Sequence, residues 1–263
     1  MSTTRPVALI TGASAGIGAA FAEVFAAHQH DLVLVARSRE KLEALADTLV
    51  RRHRIRCTVV VSDLARPESP QEIFDTVTAH GLSVDILVNN AGLLNRGPFD
   101  TIDLNDHLQL IQVNITACTA LAWLFLKPML ARGHGRILNV ASTSSFQPIP
   151  MLAGYAASKA YLLSFSEALW IETQGTGVTV TALCPGFTNT DMIAKDSPGQ
   201  SMHVPFIKNM SAEEVAREGF DACMSGEPIF VNGTANRILA EVARIQPRSW
   251  RRWLALQVAK RGF

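Results

Sequence analysis

At 263 residues the chain has length for one large domain or two small ones, with ample chain to bury a core. Its 48% apolar content and net charge of +1 argue for a globular protein and against an electrostatic nucleic-acid binder. Met1–Pro6 lacks the apolar run of a signal peptide, and Ile115–Leu126 stops at Lys127-Pro128, so it reads as a buried helix and not a membrane span. Cys57, Cys118, Cys184 and Cys223 are scattered without disulfide or metal-ligand spacing. A reducing, cytoplasmic setting and no metal are expected.

In chain order, VALIT (7–11) reads as a first strand, followed by a glycine-rich turn and a helix over 17–29. Then come LVLVA (32–36), a helix over 39–52, CTVVVS (57–62), a helix over 69–80 and DILVN (85–89). A long helix is predicted over 104–131, then RILNVAS (136–142), a helix over 155–174 and VTVTALC (178–184). Residues 189–210 are irregular and rich in Met, Pro and Ile, which predicts a lid over a site. PIFV (228–231) closes the strand series, and 232–263 forms a basic helical tail. Strands apolar throughout, alternating with helices and without a linker, predict one doubly wound α/β domain with a parallel sheet over 1–263.

Gly12, Gly16 and Gly18 fall between the first strand and the first helix. Glycines there let the chain turn sharply and let a phosphate approach the amides of a helix N-terminus. The spacing departs from the common Gly-x-Gly-x2-Gly fingerprint, and a tight strand-to-helix turn is the alternative; the place in the first βα unit favours a dinucleotide site. An NAD site would present a carboxylate at the end of the second strand. Here Ala36 and Arg37 stand there, and Asp31 lies at the wrong end. An arginine fork suits a 2′-phosphate, so NADP(H) is expected, with Ser14 and Arg39 as lesser helpers. The alternative for Arg37 is an ordinary surface charge.

In the helix over 155–174, Tyr155 and Lys159 are four residues apart and share a face. A phenol titrates near 10, and a nearby ammonium favours its phenolate. Spacing alone fits an amphipathic-helix pair equally well. Tyr161, the other tyrosine, faces elsewhere and is read as packing.

TGASAGIG (11–18), DL (63–64), NNAG (89–92), Asn114 in IQVNIT, Ser142 in NVAS, YAASK (155–159) and PGFTNT (185–190) occur in order. Together they resemble the short-chain dehydrogenase/reductase family over essentially the whole chain. The resemblance implies a Rossmann-type domain with seven parallel strands and an oxidoreductase acting on carbonyl or alcohol groups. It implies Tyr155 as acid/base, with Lys159 lowering its pKa and binding the nicotinamide ribose. Ser142 would bond the substrate oxygen, and Asn114 would hold a water in a proton relay. It further implies cofactor contacts at Ile17 in the loop, at Asp63 and Leu64 around adenine, and at Asn90, Ala91 and Gly92 along the middle. Pro185, Gly186, Thr188 and Thr190 would flank the nicotinamide. Ala15 stands where the family often has a basic residue, which leaves Arg37 as the main NADP determinant.

Leu93, Leu94, Phe146, Ile149, Met151, Leu152, Phe187 and the lid's apolar residues predict a small apolar carbonyl or alcohol as substrate. The family also implies a homodimer or homotetramer through the two long helices. The tail carries seven Lys or Arg against Glu241, with Trp250, Trp253, Leu254, Gln257 and Val258 on one face. A helix packed on its own domain or a partner subunit is expected there, ahead of contact with a membrane surface. The competing function is a catalytically idle NADP-binding sensor on the same fold; an epimerase or dehydratase would need more chain after the Pro-Gly motif.

Overall fold

The computed structural model describes residues 5–188 and 209–260, with side chains through Gln257. Its strands are β1 (Val7–Thr11), β2 (Asp31–Ala36), β3 (Cys57–Val61), β4 (Ile86–Asn89), β5 (Gly135–Val140), β6 (Val178–Cys184) and β7 (Ile229–Val231). They form one parallel sheet in the order β3-β2-β1-β4-β5-β6-β7. Every residue of β1 and β2 is buried, the reason these runs show no polar alternation.

The helices are α1 (Gly16–Ala27), α2 (Arg39–His53), α3 (Ser69–Ala79), α4 (Leu104–Ile111), α5 (Cys118–Arg132), α6 (Ala153–Glu172), α7 (Ala212–Ser225), α8 (Thr234–Ile245) and α9 (Arg248–Lys260). One face of the sheet is covered by α1, α2 and α7 through Phe21, Phe25, Leu42, Leu49, Val215 and Phe220. Phe25 meets Phe220 edge-on at 5.0 Å between ring centroids. The other face is covered by α3 and α5 through Ile73, Val77, Leu121, Phe125 and Met129, with Leu169 and Trp170 of α6 against them. Short polar caps start several helices: Ser38 accepts from the Lys41 amide, and Ser211 and Glu214 form a reciprocal capping box on α7.

The chain runs outward from β1 to β2 and β3, then returns to place β4 on the other side of β1. That reversal opens a crevice at the carboxyl ends of β1 and β4, where such sheets bind ligands.

The predicted helix over 104–131 is present as one helical stretch, Leu104–Arg132, with a local widening that the sequence did not show. A π-helical turn, Gln112–Ala117, joins α4 to α5 and carries Asn114. The wide turn lets the Asn114 side chain bond neighbouring backbone inside the protein, a demand invisible in apolar periodicity.

Candidate active site

The glycine loop is built by close approach. Gly12 has φ +67°, a conformation L side chains rarely adopt. A Cβ on Gly18 would lie 2.2 Å from Gly12 O and 2.6 Å from Asn90 Nδ2, so no side chain fits there. Thr11, buried at the end of β1, accepts through Oγ1 from the amides of Asn90 and Ala91, both at 3.0 Å. Asn90 Nδ2 donates to Thr11 O at 2.8 Å, so the turns after β1 and β4 are held as one unit. Ala15 at the start of α1 supplies no side-chain cap, and Ser14, Gly16 and Ile17 are only partly buried around those first amides. An uncapped helix N-terminus behind glycines with no room for a side chain fits a pyrophosphate.

Arg37 is exposed immediately after β2, and the Ala13 amide bonds Val35 O at 3.2 Å, which sets the glycine loop beside that strand end. Asp31 lies at the opposite end of β2, buried against Arg56 with a 2.6 Å ion pair. Asp63 and Leu64 follow β3 on the same edge of the sheet as Arg37; Asp63 Oδ1 accepts from the Ala65 amide and Leu64 is buried.

At the carboxyl ends of β4, β5 and β6 the second set converges. Ser142 follows β5 with its Oγ accepting from the Ser144 amide at 3.1 Å, and its hydroxyl is near enough to the Tyr155 hydroxyl to favour the phenolate. Lys159 is buried, donates to Val140 O at 2.8 Å and lies 5.7 Å from the Tyr155 ring centroid. A Cβ on Gly92 would sit 3.5 Å from Lys159 Nζ and 3.4 Å from Asn114 Oδ1, so these three groups border one space. Asn114 accepts from the Leu93 amide at 2.7 Å and donates to Leu93 O at 2.9 Å and Ser158 Oγ at 3.0 Å. Its amide therefore fastens the segment after β4 to α6.

Burial drives the electrostatics. It lowers Lys159 from 10.5 to about 8, opposed by Cys118 and Cys184 nearby. Burial raises the Tyr155 hydroxyl above the ordinary phenol value, with the Ser142 hydrogen bond pulling the other way. Part of Tyr155 stays open to a small cavity, which tempers that rise. The expected depression of Tyr155 by Lys159 is thus not the dominant effect in the protein alone, since the ammonium is turned onto Val140 O. Because the folded Lys159 value is depressed, the native state binds fewer protons than the unfolded chain between pH 8 and 10.5, and this group's contribution to stability rises with pH across that window. Lys159→Met is therefore expected to stabilise the protein at pH 7 by about 1–3 kcal/mol, less whatever the lost Val140 bond contributes. Chemical denaturation at pH 7 and pH 10 checks this; a stability–pH slope identical to wild type would contradict it.

On the far side of the sheet edge, Pro185 O accepts from the Thr143 amide at 2.9 Å and Thr188 is buried with its hydroxyl on Gly186 O at 3.1 Å. Thr190 and residues 189–208 of the expected lid lie outside the described residues. Met210, at the end of that segment, donates its amide to Phe187 O at 3.1 Å.

Over residues 6–201 the sequence matches the family described as short chain dehydrogenase. The chain belongs to the short-chain dehydrogenase/reductase family. Hydroxysteroid dehydrogenase-like protein 1 of Gallus gallus is 35% identical over 190 residues, 71% of this chain and 57% of that protein. The 3-oxoacyl-[acyl-carrier-protein] reductase FabG of Aquifex aeolicus is 31% identical over 237 residues, 86% of this chain and 96% of that protein. A short-chain dehydrogenase from Sphingobium yanoikuyae, solved in complex with NADPH, matches with a TM-score of 0.80 at 31% identity, over 98% of this chain and 94% of its own. The chain spans less than two thirds of the length of the vertebrate relatives it matches.

Several contacts that assemble the site have no local signature in the sequence. Thr11 and Ser158 join the two halves of the site through hydroxyls that resemble any buried threonine or serine. Ser145 donates to Lys159 O at 2.8 Å, and Asn236 of α8 packs so closely that a Cβ on Gly186 would be 2.3 Å from its Nδ2. Phe146 is buried in a core cluster and Leu152 is buried at the start of α6. Tyr155 borders a small cavity lined by Phe99, Ile102, His107, Leu110 and Met151, the last of these among the expected substrate-site residues. Tyr161 is not unpartnered: its hydroxyl shares a 2.9 Å hydrogen bond with Thr119 and its ring stacks on Phe165.

Proposed function

We propose that the protein is an NADP(H)-dependent oxidoreductase that moves a hydride between the nicotinamide and an apolar ketone, aldehyde or secondary alcohol. The observation carrying this reading is the convergence of Ser142, Tyr155 and buried Lys159, whose Nζ lies 5.7 Å from the Tyr155 ring centroid, in the crevice that begins at the glycine loop. Gly12, Gly16, Gly18 and the first amides of α1 would hold the pyrophosphate, and Arg37 the 2′-phosphate. Asn90, Ala91 and Gly92 would line the middle, with Pro185, Gly186 and Thr188 at the ring. NADPH, when bound, supplies the hydride for the carbonyl carbon.

Tyr155 then gives its phenolic proton to the carbonyl oxygen, and Ser142 donates a hydrogen bond to that oxygen as charge develops. Burial keeps the phenol protonated near neutrality, the form this step requires. Lys159 stabilises the phenolate left behind and would bond the nicotinamide ribose. Asn114 fixes the neighbouring backbone and supports the water that returns the proton. Phe99, Ile102, Leu110 and Met151 favour an apolar substrate. Free cysteines, three of them buried, fit a reducing compartment such as the cytoplasm. Leu104, Leu108, Trp123 and Ile171 stand exposed on the two long helical segments and supply a face for a second copy.

Arg37 carries the cofactor preference, and the first test lies there. A partly exposed charge-assisted contact contributes about 1.5–3 kcal/mol, or roughly 10- to 150-fold for NADPH over NADH. Ala36→Asp with Arg37→Ala is expected to invert that ratio in kcat/KM at fixed ionic strength. A wild-type enzyme that used both equally would sink the assignment. Lys159→Ala removes the positive charge that favours phenolate, so the kinetic pKa of alcohol oxidation should rise and NADPH affinity should fall. An unchanged pH profile with unchanged affinity would remove Lys159 from the chemistry.

A further inference from the structure

The tail was expected to pack on its own domain or a partner subunit; within this chain its large apolar residues do not pack on the domain. In α8 the buried residues are Asn236, Ala240 and Ala243, all small or polar. The large aliphatics Ile238, Val242 and Ile245 follow i, i+4, i+7 spacing along one stripe, and that stripe faces outward, with Ile245 83% exposed. In α9, Trp250 and Trp253 are 65% and 60% exposed, and Leu254 on the same face is exposed too. Arginines sit among them. Residues 232–263 hold seven Lys or Arg and one acid, Glu241. Glu241 already pairs with Arg244, which also reaches Glu167 of α6 at 3.7 Å. Arg248 and Arg252 are exposed, and Arg251 ties α9 to the body through Phe146 O at 3.1 Å.

We propose that α8 and α9 form a docking face for an anionic lipid bilayer. The aliphatics and tryptophans enter the boundary between headgroups and acyl chains, where indole rings partition, while Arg248 and Arg252 pair with lipid phosphates. Charge complementarity selects this occupant over a second copy: an isologous contact would set the same arginine cluster against itself. The face is independent of the chemistry at Tyr155, so its test needs no turnover.

The experiment is co-sedimentation of the full chain with vesicles of phosphatidylcholine, alone or with about one third phosphatidylglycerol. The protein is expected to pellet with the mixed vesicles, to be released by high salt, and to show a blue shift in tryptophan emission. Arg248→Ala with Arg252→Ala should weaken partitioning by roughly 30-fold, from two basic residues removed near an anionic surface. Ile245→Glu with Trp253→Glu should abolish it, with thermal unfolding unchanged in both variants. Three results would overturn the proposal. One is wild-type protein left in the supernatant with the anionic vesicles. Another is an arginine variant that partitions as wild type does. The third is a light-scattering mass that drops on Ile245→Glu with Trp253→Glu, which would place a second copy on the face.

Discussion

Tyr155→Phe is expected to lower kcat for an apolar ketone by at least about 10²–10⁴-fold, the usual contribution of a positioned proton donor, while NADPH still binds. The ring keeps its packing and its place 5.7 Å from Lys159 Nζ; only the hydroxyl beside Ser142 is lost. Tyr161→Phe serves as the internal comparison. It removes a hydrogen bond to Thr119 on a partly exposed helix face, which contributes little, and it touches none of the converging groups. Steady-state kinetics and cofactor titration of both variants make the check. Equal losses in the two would mean that the helix, and not the Tyr155 proton, carries the effect.

Gly18→Ala is expected to be the most damaging change in the cofactor crevice. Its methyl would meet Gly12 O at 2.2 Å and Asn90 Nδ2 at 2.6 Å, and neither can retreat, since one is backbone and the other is bonded to Thr11 O. The loop must shift, at about 1–3 kcal/mol of stability. A displacement of that size in a site depending on aimed amides should weaken NADPH by roughly 10²-fold. Calorimetric titration separates the two effects: affinity should fall far more than the melting temperature predicts. An alanine variant that binds NADPH as wild type does would contradict the phosphate cradle.

The sheet was legible because its strands are buried on both faces. VALI and LVLVA have no polar position to offer solvent, and such runs alternating with helices leave a parallel doubly wound sheet as the consistent arrangement. The convergence of Ser142, Tyr155 and Lys159 was legible for another reason: helical spacing pairs the latter two, and a family resemblance supplied the serine. What escaped was everything set by long-range approach. Asn114 sits in a π-helical turn because its amide must reach Leu93 and Ser158, and no local pattern encodes that. Asn236 contacts the Gly186 position from α8, fifty residues along the chain. Thr11 joins two turns through a hydroxyl whose partners lie seventy-nine and eighty residues away. The direction of the tail's apolar face was not legible because an amphipathic stripe says that a face is apolar and not which way it turns; in α8 small residues take the inner side.

The measurement closest to the central claim follows the hydride itself. Wild-type protein is supplied with NADPH deuterated at the transferable position and an apolar ketone, and the alcohol product is examined by mass spectrometry. One deuterium on the carbinol carbon, in product that Tyr155→Phe does not form, is the predicted result. Tight NADPH binding with no labelled alcohol from any apolar ketone or aldehyde would instead make the protein a cofactor-binding sensor and contradict its reading as a reductase.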